Sequence, residues 1–304
     1  MLKKIRKTGF LKLLWWRNPL LMFVSTLSSN SNHKRIKRVL ALNPDIGLRP
    51  LAPLFEGGSV EHYYHFLFDL VFPVLEITGQ QTAVRIVTGT PLAPIAKDLF
   101  GDRIKFIDPK GQCRVDTMDL RGMNPRVYRI DKRQIRMFQS FISEWMIGKP
   151  VAHTCDLLLI ERSLPPDYYL SDACAVKGGG SLRRSIVNHS EINDDLRILV
   201  ETGMLPGIYT MRNVKLEGIP FYEQIQLFAN AKLIIGQHGA GLSNIVFCKP
   251  GTHLVEINDR RECRHFNLLS KVAGVRHNFL WVGSPHPVIS KEQVRQTIQN
   301  LNLS

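Results

Sequence analysis

The chain has 304 residues, and its 40 Lys and Arg against 26 Asp and Glu give a formal net charge of +14. Its 44% hydrophobic and 22% charged residues are those of a folded globular protein and exclude a disordered chain; the length allows two ordinary domains or one large one. The excess charge directs attention to anionic partners: nucleic acid, an anionic membrane surface or phosphorylated substrates.

The charge is concentrated at the start. Residues 1–44 carry Lys3, Lys4, Arg6, Lys7, Lys12, Arg17, Lys34, Arg35, Lys37 and Arg38, with no acid. Between these runs, Phe10 to Val24 is apolar but too short, and too interrupted by Lys12, Arg17 and Pro19, to span a bilayer. It also lacks a signal-peptide core with a small-residue cleavage site. Basic flanks around Trp15, Trp16 and Phe23 suit a segment lying among the headgroups of an anionic membrane; a helix docked on the protein's own surface fits equally. A nucleic-acid arm fits less well, because phosphate contacts need no aromatic-aliphatic cluster. Cys113, Cys155, Cys174, Cys248 and Cys263 are odd in number, without CxxC spacing, so neither a disulfide framework nor a zinc site is indicated. The expected location is cytoplasmic, peripheral at the inner face of the membrane if the arm binds lipid.

After the arm, Arg38–Leu42 and Leu51–Phe55 read as short strands. Glu61 to Thr78 reads as an amphipathic helix kinked near Pro73. A strand at Val84–Thr88, a helix at Ile95–Phe100, strands at Arg103–Ile107 and Arg114–Leu120, and a helix from Asp131 to Ile147 complete the first half. The stop at Gly148-Lys149-Pro150 reads as a domain boundary. Strands then follow at Asp156–Ile160, Ile208–Met211, Lys232–Gly236, His253–Ile257 and Arg276–Val282. Helices alternate with them at Glu191–Glu201, Phe221–Asn230, from Gly241, at Glu262–Val272 and from Lys291. This alternation predicts an α/β fold with parallel, doubly wound sheets. The expected division is a basic arm over 1–37, an α/β domain over 38–150 and a second over 151–304.

His238-Gly239-Ala240-Gly241-Leu242 is the most informative stretch. It stands between a buried-strand run, Leu233 to Gly236, and Ser243 to Phe247, which can open a helix. Strand, small-residue turn and helix N-terminus together make an anion site, because backbone N–H groups and the helix dipole point at whatever sits there. The glycines allow close approach, and His238 falls at a strand's carboxyl end, where open α/β sheets bind ligands. A nucleotide or sugar-nucleotide is the expected ligand. The competing readings are a buried histidine satisfied by a carbonyl, and glycines that only pack a helix against a sheet.

From Phe221 to Ile257 the chain resembles the signature of glycosyltransferase family 61, an F-x-E-Q helix, a strand, H-G-A-G-L-x-N, an aromatic, P-G and a closing strand with E-[IL]. Tyr63-Tyr64-His65-Phe66-Leu67-Phe68-Asp69 is similar to the family's upstream Y-Y-H-W-x-x-[DE] helix. Ile160-Glu161-Arg162 and Arg183-Arg184-Ser185-Ile186-Val187-Asn188 are similar to its I-x-R and R-R-x-I-x-N pieces. There are two departures: His189 follows Asn188 where the family has an acid, and Phe66 stands where it has Trp.

The resemblance implies a GT-B-like arrangement, two Rossmann-like domains facing a central cleft, and transfer of a sugar from a nucleotide donor with inversion. It also implies a role in surface polysaccharide synthesis. Bottom-up chemistry agrees. The departing diphosphate needs its charge stabilised, and no D-x-D string suggests a metal, so cations and N–H groups are expected to do this. The expected donor-binding residues are His238, Gly239, Ala240, Gly241 and Leu242, with Arg162, Arg183 and Arg184. Glu256 is expected to accept from ribose hydroxyls. The expected donor is UDP-linked, with no separate cofactor, no metal and no nucleic-acid partner; the acceptor is a glycan or a lipid-linked saccharide. Inversion needs a general base for the acceptor hydroxyl, and His62, His65 and Asp69 share one helix. His65 and Asp69, four apart, rank equally as that base.

Two other functions stay open. A catalytically inactive relative that binds carbohydrate or nucleotide would keep the same glycines. A nicotinamide-dependent oxidoreductase would need G-x-G-x-x-G, but Asn244 fills the third glycine's place and no fitting acid stands about twenty residues on at a second strand's end, Glu262 falling in the next helix region.

Overall fold

The strand–helix alternation builds two parallel sheets in the computed structural model, which describes residues 38, 40–41, 46–49, 60–78, 83–87, 90–107, 117–119, 131–165, 167 and 180–303. The basic arm over 1–37, the expected strand at 51–55 and the start of the expected strand at 114–120 lie outside them.

The chain divides into two compact units. One comprises Met1–Leu51 with Phe68–Arg129, the other Ala52–Leu67 with Ile130–Ser304. In the first, β1 (Gly47–Arg49), β2 (Val84–Val87), β3 (Ile104–Ile107) and β4 (Thr117–Asp119) pair in parallel in the order β3-β2-β1-β4. In the second, β5 (Leu157–Glu161), β6 (Met211–Lys215), β7 (Leu233–Gln237), β8 (His253–Asn258) and β9 (Arg276–Trp281) pair in parallel in the order β6-β5-β7-β8-β9. Both orders reverse direction beside their first strand, between β1 and β4 and between β5 and β7. At such a switch point an open α/β sheet parts its loops and takes ligands.

Helices connect the strands. Before β2 come α1 (Tyr63–Phe66) and α2 (Phe72–Thr78), joined by a π-helical turn, Leu67–Val71. Pro73 supplies the reason for the expected kink: it has no N–H to return to the carbonyl four residues back, so the α-helical ladder cannot run through unbroken. Beyond β2 lies α3 (Ala93–Phe100); α4 (Lys132–Trp145) begins on a capping box between Asp131 and Gln134. The second unit adds α5 (Gly180–Arg183), α6 (His189–Glu201), α7 (Phe221–Asn230), α8 (His265–Ala273) and α9 (Lys291–Gln299).

Three expectations change. Arg38, Leu40 and Ala41 are helical rather than strand. The strand expected at 208–211 is β6, Met211–Lys215, because this edge strand is polar and carries little apolar pattern. The chain also does not change units at 150. Helix α4 belongs with the second sheet: its Gln139 Nε2 donates to Val246 O at 2.8 Å, Phe138 meets Phe247 at 5.7 Å and Trp145 meets Phe221 at 5.7 Å. The core of the second unit is formed by β5, β7 and β8, where Leu157, Leu159, Leu233 and Ile235 are fully buried, under α6 and α9.

Candidate active site

The site begins where β7 ends. The His238 N–H donates to Ile257 O at 2.8 Å, which carries the β7–β8 ladder one residue past the strand. The chain then turns through Gly239 in extended backbone into Ala240–Phe247, a 3₁₀ segment where an α-helix was expected. That difference changes the donor set. The Leu242 N–H closes the turn onto Gly239 O at 3.0 Å and its side chain is buried, so Leu242 anchors the turn in the core and has no N–H left for a ligand. Gly239, Ala240 and Gly241 remain half-buried at the surface. At two of these positions the space of a Cβ is taken by the end of a neighbouring side chain. A Cβ on Gly239 would lie 2.0 Å from Arg162 Nη1, and one on Gly241 would lie 2.6 Å from Leu216 Cδ1.

Arg162 therefore stacks its guanidinium against the turn. It leaves the carboxyl end of β5, on the other side of the switch point, and its Nη2 donates to Gly180 O at 3.3 Å. Gly180 touches the same loop: at φ +57° its Cβ would fall 2.4 Å from Ser163 O. Between the ends of β5, β6 and β7 opens a cleft of about 260 Å³, whose polar lining includes Glu161, Arg162, Ser181, His189, Lys215 and Gln237. The Gln237 amide is held by donation to Pro285 O at 2.9 Å, while its buried Oε1 has no hydrogen-bond partner.

The expected arginine pair divides. Arg183 is exposed at the end of α5. Arg184 is buried and its Nε donates to Asp259 Oδ1 at 2.7 Å, tying α5 to the loop after β8. Burial raises the Asp259 carboxyl, yet the Arg184 contact outweighs it and holds the group below its usual range. Arg184 thus fixes the loops, and of the two it is Arg183 that is accessible to a phosphate.

The electrostatic field of this region is positive. His62 is held down to about 3 by burial, then by His65, Arg183 and Arg162. His265 is also held down to about 3, by burial and then by His238, with His65 and Arg184 adding to the effect and Glu256 opposing it. Two imidazoles from distant parts of the chain are kept neutral, chiefly by burial, with His65 and neighbouring arginines adding to it. A polyanion entering there would meet a field that already disfavours further positive charge. It follows that His62 is too weak a base to take an acceptor proton at neutral pH.

His238 is held by a buried carboxylate. Its Nδ1 donates to Glu256 Oε1; Asn258 Nδ2 donates to the same oxygen at 3.0 Å, and His277 Nε2 donates to Oε2 at 2.6 Å. Glu256 has no exposed surface, so its expected contact with ribose hydroxyls is replaced by these three donors. Burial pushes its carboxyl up, yet the hydrogen bonds from His238 and His277 prevail and hold it below the usual range. Period-two alternation explains the grouping: Glu256 and Asn258 face one side of β8, and His238 follows Gln237, which is in register with Ile257. Sequence reasoning missed His277 and Asn258. The alternation of His277, Phe279 and Trp281 along β9, in register with Leu254, Glu256 and Asn258, was the available signal.

Other motif residues serve the scaffold. Tyr63 donates from its hydroxyl to Asn244 Oδ1, Asn244 Nδ2 donates to Gln224 Oε1 at 3.0 Å, and Gln224 Nε2 donates to Leu216 O at 3.1 Å and Ile219 O at 2.9 Å. Asn188 clamps Ile289 by both amide atoms, donating to its carbonyl at 2.9 Å and accepting from its N–H at 3.0 Å. The two expected bases fall in different units. His65 is half-buried beside Tyr64, with ring centroids 5.0 Å apart, in the unit of the second sheet. Asp69 is buried in the π-helical turn, in the unit of the first. Among the described residues no group of three or more His, Cys, Asp or Glu is placed to hold a metal ion, and no helix is long and apolar enough to cross a membrane.

The family model described as Glycosyltransferase 61 matches residues 63–255, the span that contains α1, the Gly239 turn and the first half of β8. A beta-1,2-xylosyltransferase of Arabidopsis thaliana is 32% identical over 122 residues, 37% of this chain and 23% of that protein. An EGF domain-specific O-linked N-acetylglucosamine transferase of Drosophila melanogaster is 29% identical over 69 residues, 23% of this chain and 13% of that protein. The chain thus matches less than a quarter of the length of either relative.

Proposed function

This chain belongs to glycosyltransferase family 61, and we propose that it transfers a sugar from a nucleotide-sugar donor to a hydroxyl of a glycan or lipid-linked saccharide. The observation that carries the reading is the cationic turn at the β5/β7 switch point. Arg162 lies against Gly239, His238 is held by Glu256, and a cleft of about 260 Å³ opens beside them. The names of both relatives describe sugar transfer, which supports the same class.

In this reading the diphosphate lies on the Gly239–Gly241 turn, and the nucleoside enters the cleft with the unpaired Gln237 Oε1 on its wall. Arg162, Arg183 and His238 stabilise the departing diphosphate without a divalent metal. The transfer is a single displacement with inversion. The acceptor oxygen bonds to the anomeric carbon as the bond from that carbon to the phosphate oxygen breaks. The electron pair leaves with the nucleoside diphosphate, and the acceptor proton passes to Asp69 or His65. A GT-B arrangement, with the first unit on the acceptor side, belongs to the same proposal; its support is that each sheet has a switch-point strand order. Surface polysaccharide synthesis at the inner face of a membrane is proposed from the acid-free basic composition of residues 1–44.

The test is nucleotide release from a panel of sugar nucleotides, with EDTA present. Release from at least one UDP-sugar, reduced in Asp69→Asn or His65→Ala, is the expected result. If nothing in the panel is bound or cleaved while NAD binds, the transferase reading fails. Deleting residues 1–30 should release the protein from anionic liposomes; unchanged pelleting rejects the membrane assignment.

A further inference from the structure

The donor site does not use His277, which neither touches the Gly239 turn nor lines the cleft, yet its side chain is only 2% exposed and bonded at both nitrogens. A histidine buried so deeply in a sheet, facing a carboxylate instead of an apolar neighbour, has an energetic cost unless each polar atom is satisfied. Here every hydrogen can be assigned. Asn267 Nδ2, on α8, lies 3.3 Å from His277 Nδ1 and can only donate, so Nδ1 is an acceptor and the ring proton sits on Nε2. That proton points at Glu256 Oε2, 2.6 Å away. Glu256 Oε1 takes Asn258 Nδ2 at 3.0 Å and His238 Nδ1; the second Asn258 amide hydrogen goes to Cys263 O at 3.2 Å, so the longer 3.4 Å approach of Asn258 Nδ2 to His238 Nδ1 leaves that nitrogen its own proton. A fully ionised carboxylate can accept from all three donors; a protonated one would have to turn a hydrogen toward one of them. The chain Asn267–His277–Glu256–His238 therefore has one consistent proton arrangement, and it ends at the turn.

We infer that His277, itself fixed by Asn267, is a positioning residue that keeps Glu256 an acceptor and thereby holds the His238 proton on Nδ1, leaving Nε2 as the nitrogen that faces a ligand at the Gly239 turn. A neutral histidine left to itself favours the other tautomer, with the proton on Nε2, so the arrangement has to be imposed. The four residues come from β9, α8, β8 and the end of β7, all in the unit of the second sheet. Helix α8 also closes over the group: the His265 and Phe266 rings stand 4.9 Å and 5.2 Å from that of His238. The consequence for the donor is that Nε2 is always the exchangeable position. It is unprotonated in the neutral ring and becomes a donor toward phosphate oxygen only in the imidazolium. The nucleotide part of this inference rests on the transferase reading; the placement of the proton does not.

The experiment is a long-range ¹H–¹⁵N spectrum of the histidine rings in the full chain, recorded for the wild type, His277→Gln and His277→Leu, with UDP affinity measured for each. Gln can still offer an N–H near the Nε2 position; Leu cannot. The wild type is expected to show His238 with Nδ1 protonated in its neutral form. His277→Gln should keep that signature and an affinity within about twofold. His277→Leu should release His238 toward the Nε2–H tautomer, a change in the ring-nitrogen signature that a merely structural loss at His277 would not produce. A wild type with the His238 proton on Nε2 overturns the inference even if His277→Leu does not fold. A folded His277→Leu that keeps the wild-type His238 signature overturns it equally. If the wild type binds no UDP, the functional reading fails, while the tautomer result still decides the proton placement.

Discussion

Two polar chains cross the unit of the second sheet, and they end differently. Tyr63–Asn244–Gln224 closes on the carbonyls of Leu216 and Ile219, so every group in it is answered by the protein. His277–Glu256–His238 closes at one end on Asn267 and at the other on a histidine beside a half-buried turn, with Arg162 next to it. Both are buried and hydrogen-bonded, and both contain residues of the sequence signature. The first fixes where the Gly239 turn lies; the second fixes what the turn presents to a ligand. In these two chains the far end of the network, more than its burial, distinguishes scaffold from site.

Substitutions should separate the two chains on two axes. His238→Ala is expected to have the largest effect, a loss of about 10²–10³ in transfer rate, as when a charge-stabilising donor is removed from a preorganised site. Glu256 Oε1 keeps Asn258 Nδ2, so the fold should survive with a melting temperature lowered by the loss of one donor to a buried carboxylate; an unchanged transfer rate in the folded variant would remove His238 from the donor site. Asn244→Ala should do the reverse. It takes the acceptor from the Tyr63 hydroxyl and the donor from Gln224 Oε1, so a loss of about 2–3 kcal/mol in denaturant unfolding is expected, with nucleotide affinity preserved in the molecules that remain folded.

Gly239→Ala comes next. Its methyl group would occupy the place of Arg162 Nη1, 2.0 Å away, and a flexible guanidinium yields more readily than backbone. UDP affinity should fall about tenfold, roughly 1.4 kcal/mol, with unfolding nearly unchanged; undiminished binding would remove Arg162 from the donor site. A smaller effect is expected from pH. His62 and His265 are held at about 3 in the folded protein against 6.5 when free. The folded state then binds fewer protons than the unfolded state, so stability is complete above about 6.5 and declines as pH falls toward 3. Glu256, also lowered, adds its loss below its usual value of 4.5. The melting temperature should drop steadily between pH 7 and pH 5, and less steeply in His265→Gln. A flat profile would contradict the burial of these two rings in their neutral form. The smallest change is Tyr63→Phe, which removes one end of the scaffold chain and should cost about 1 kcal/mol without altering UDP binding.

Much of this was legible in the sequence where a single pattern determined the outcome. The apolar run Leu233–Ile235 became the buried strand, and the glycines after it became a turn that admits a guanidinium. Where two patterns competed, the sequence was less informative. Gly241 to Phe247 has the composition of a helix start, but the turn onto Gly239 O closes it as 3₁₀. Arg183 and Arg184 are identical in type and adjacent, and only the fold turns one toward solvent and the other onto Asp259. Glu256 and His238 were recognised as site residues while His277 and Asn258 were not, because those two reach the carboxylate only through strand pairing and alternation. Helix α4 was assigned to the wrong side of the Gly148–Pro150 stop, since a Gly-Pro break ends a helix without saying which sheet that helix covers.

The central claim is that the turn after β7 holds a nucleotide diphosphate through cations of this chain. Calorimetric titration of UDP into the full chain, in EDTA, with His238→Ala alongside, tests it most directly. The account predicts saturable one-site binding by the wild type, weakened at least tenfold in the variant. Binding of NAD without binding of UDP, or equal UDP affinity in both proteins, would contradict it.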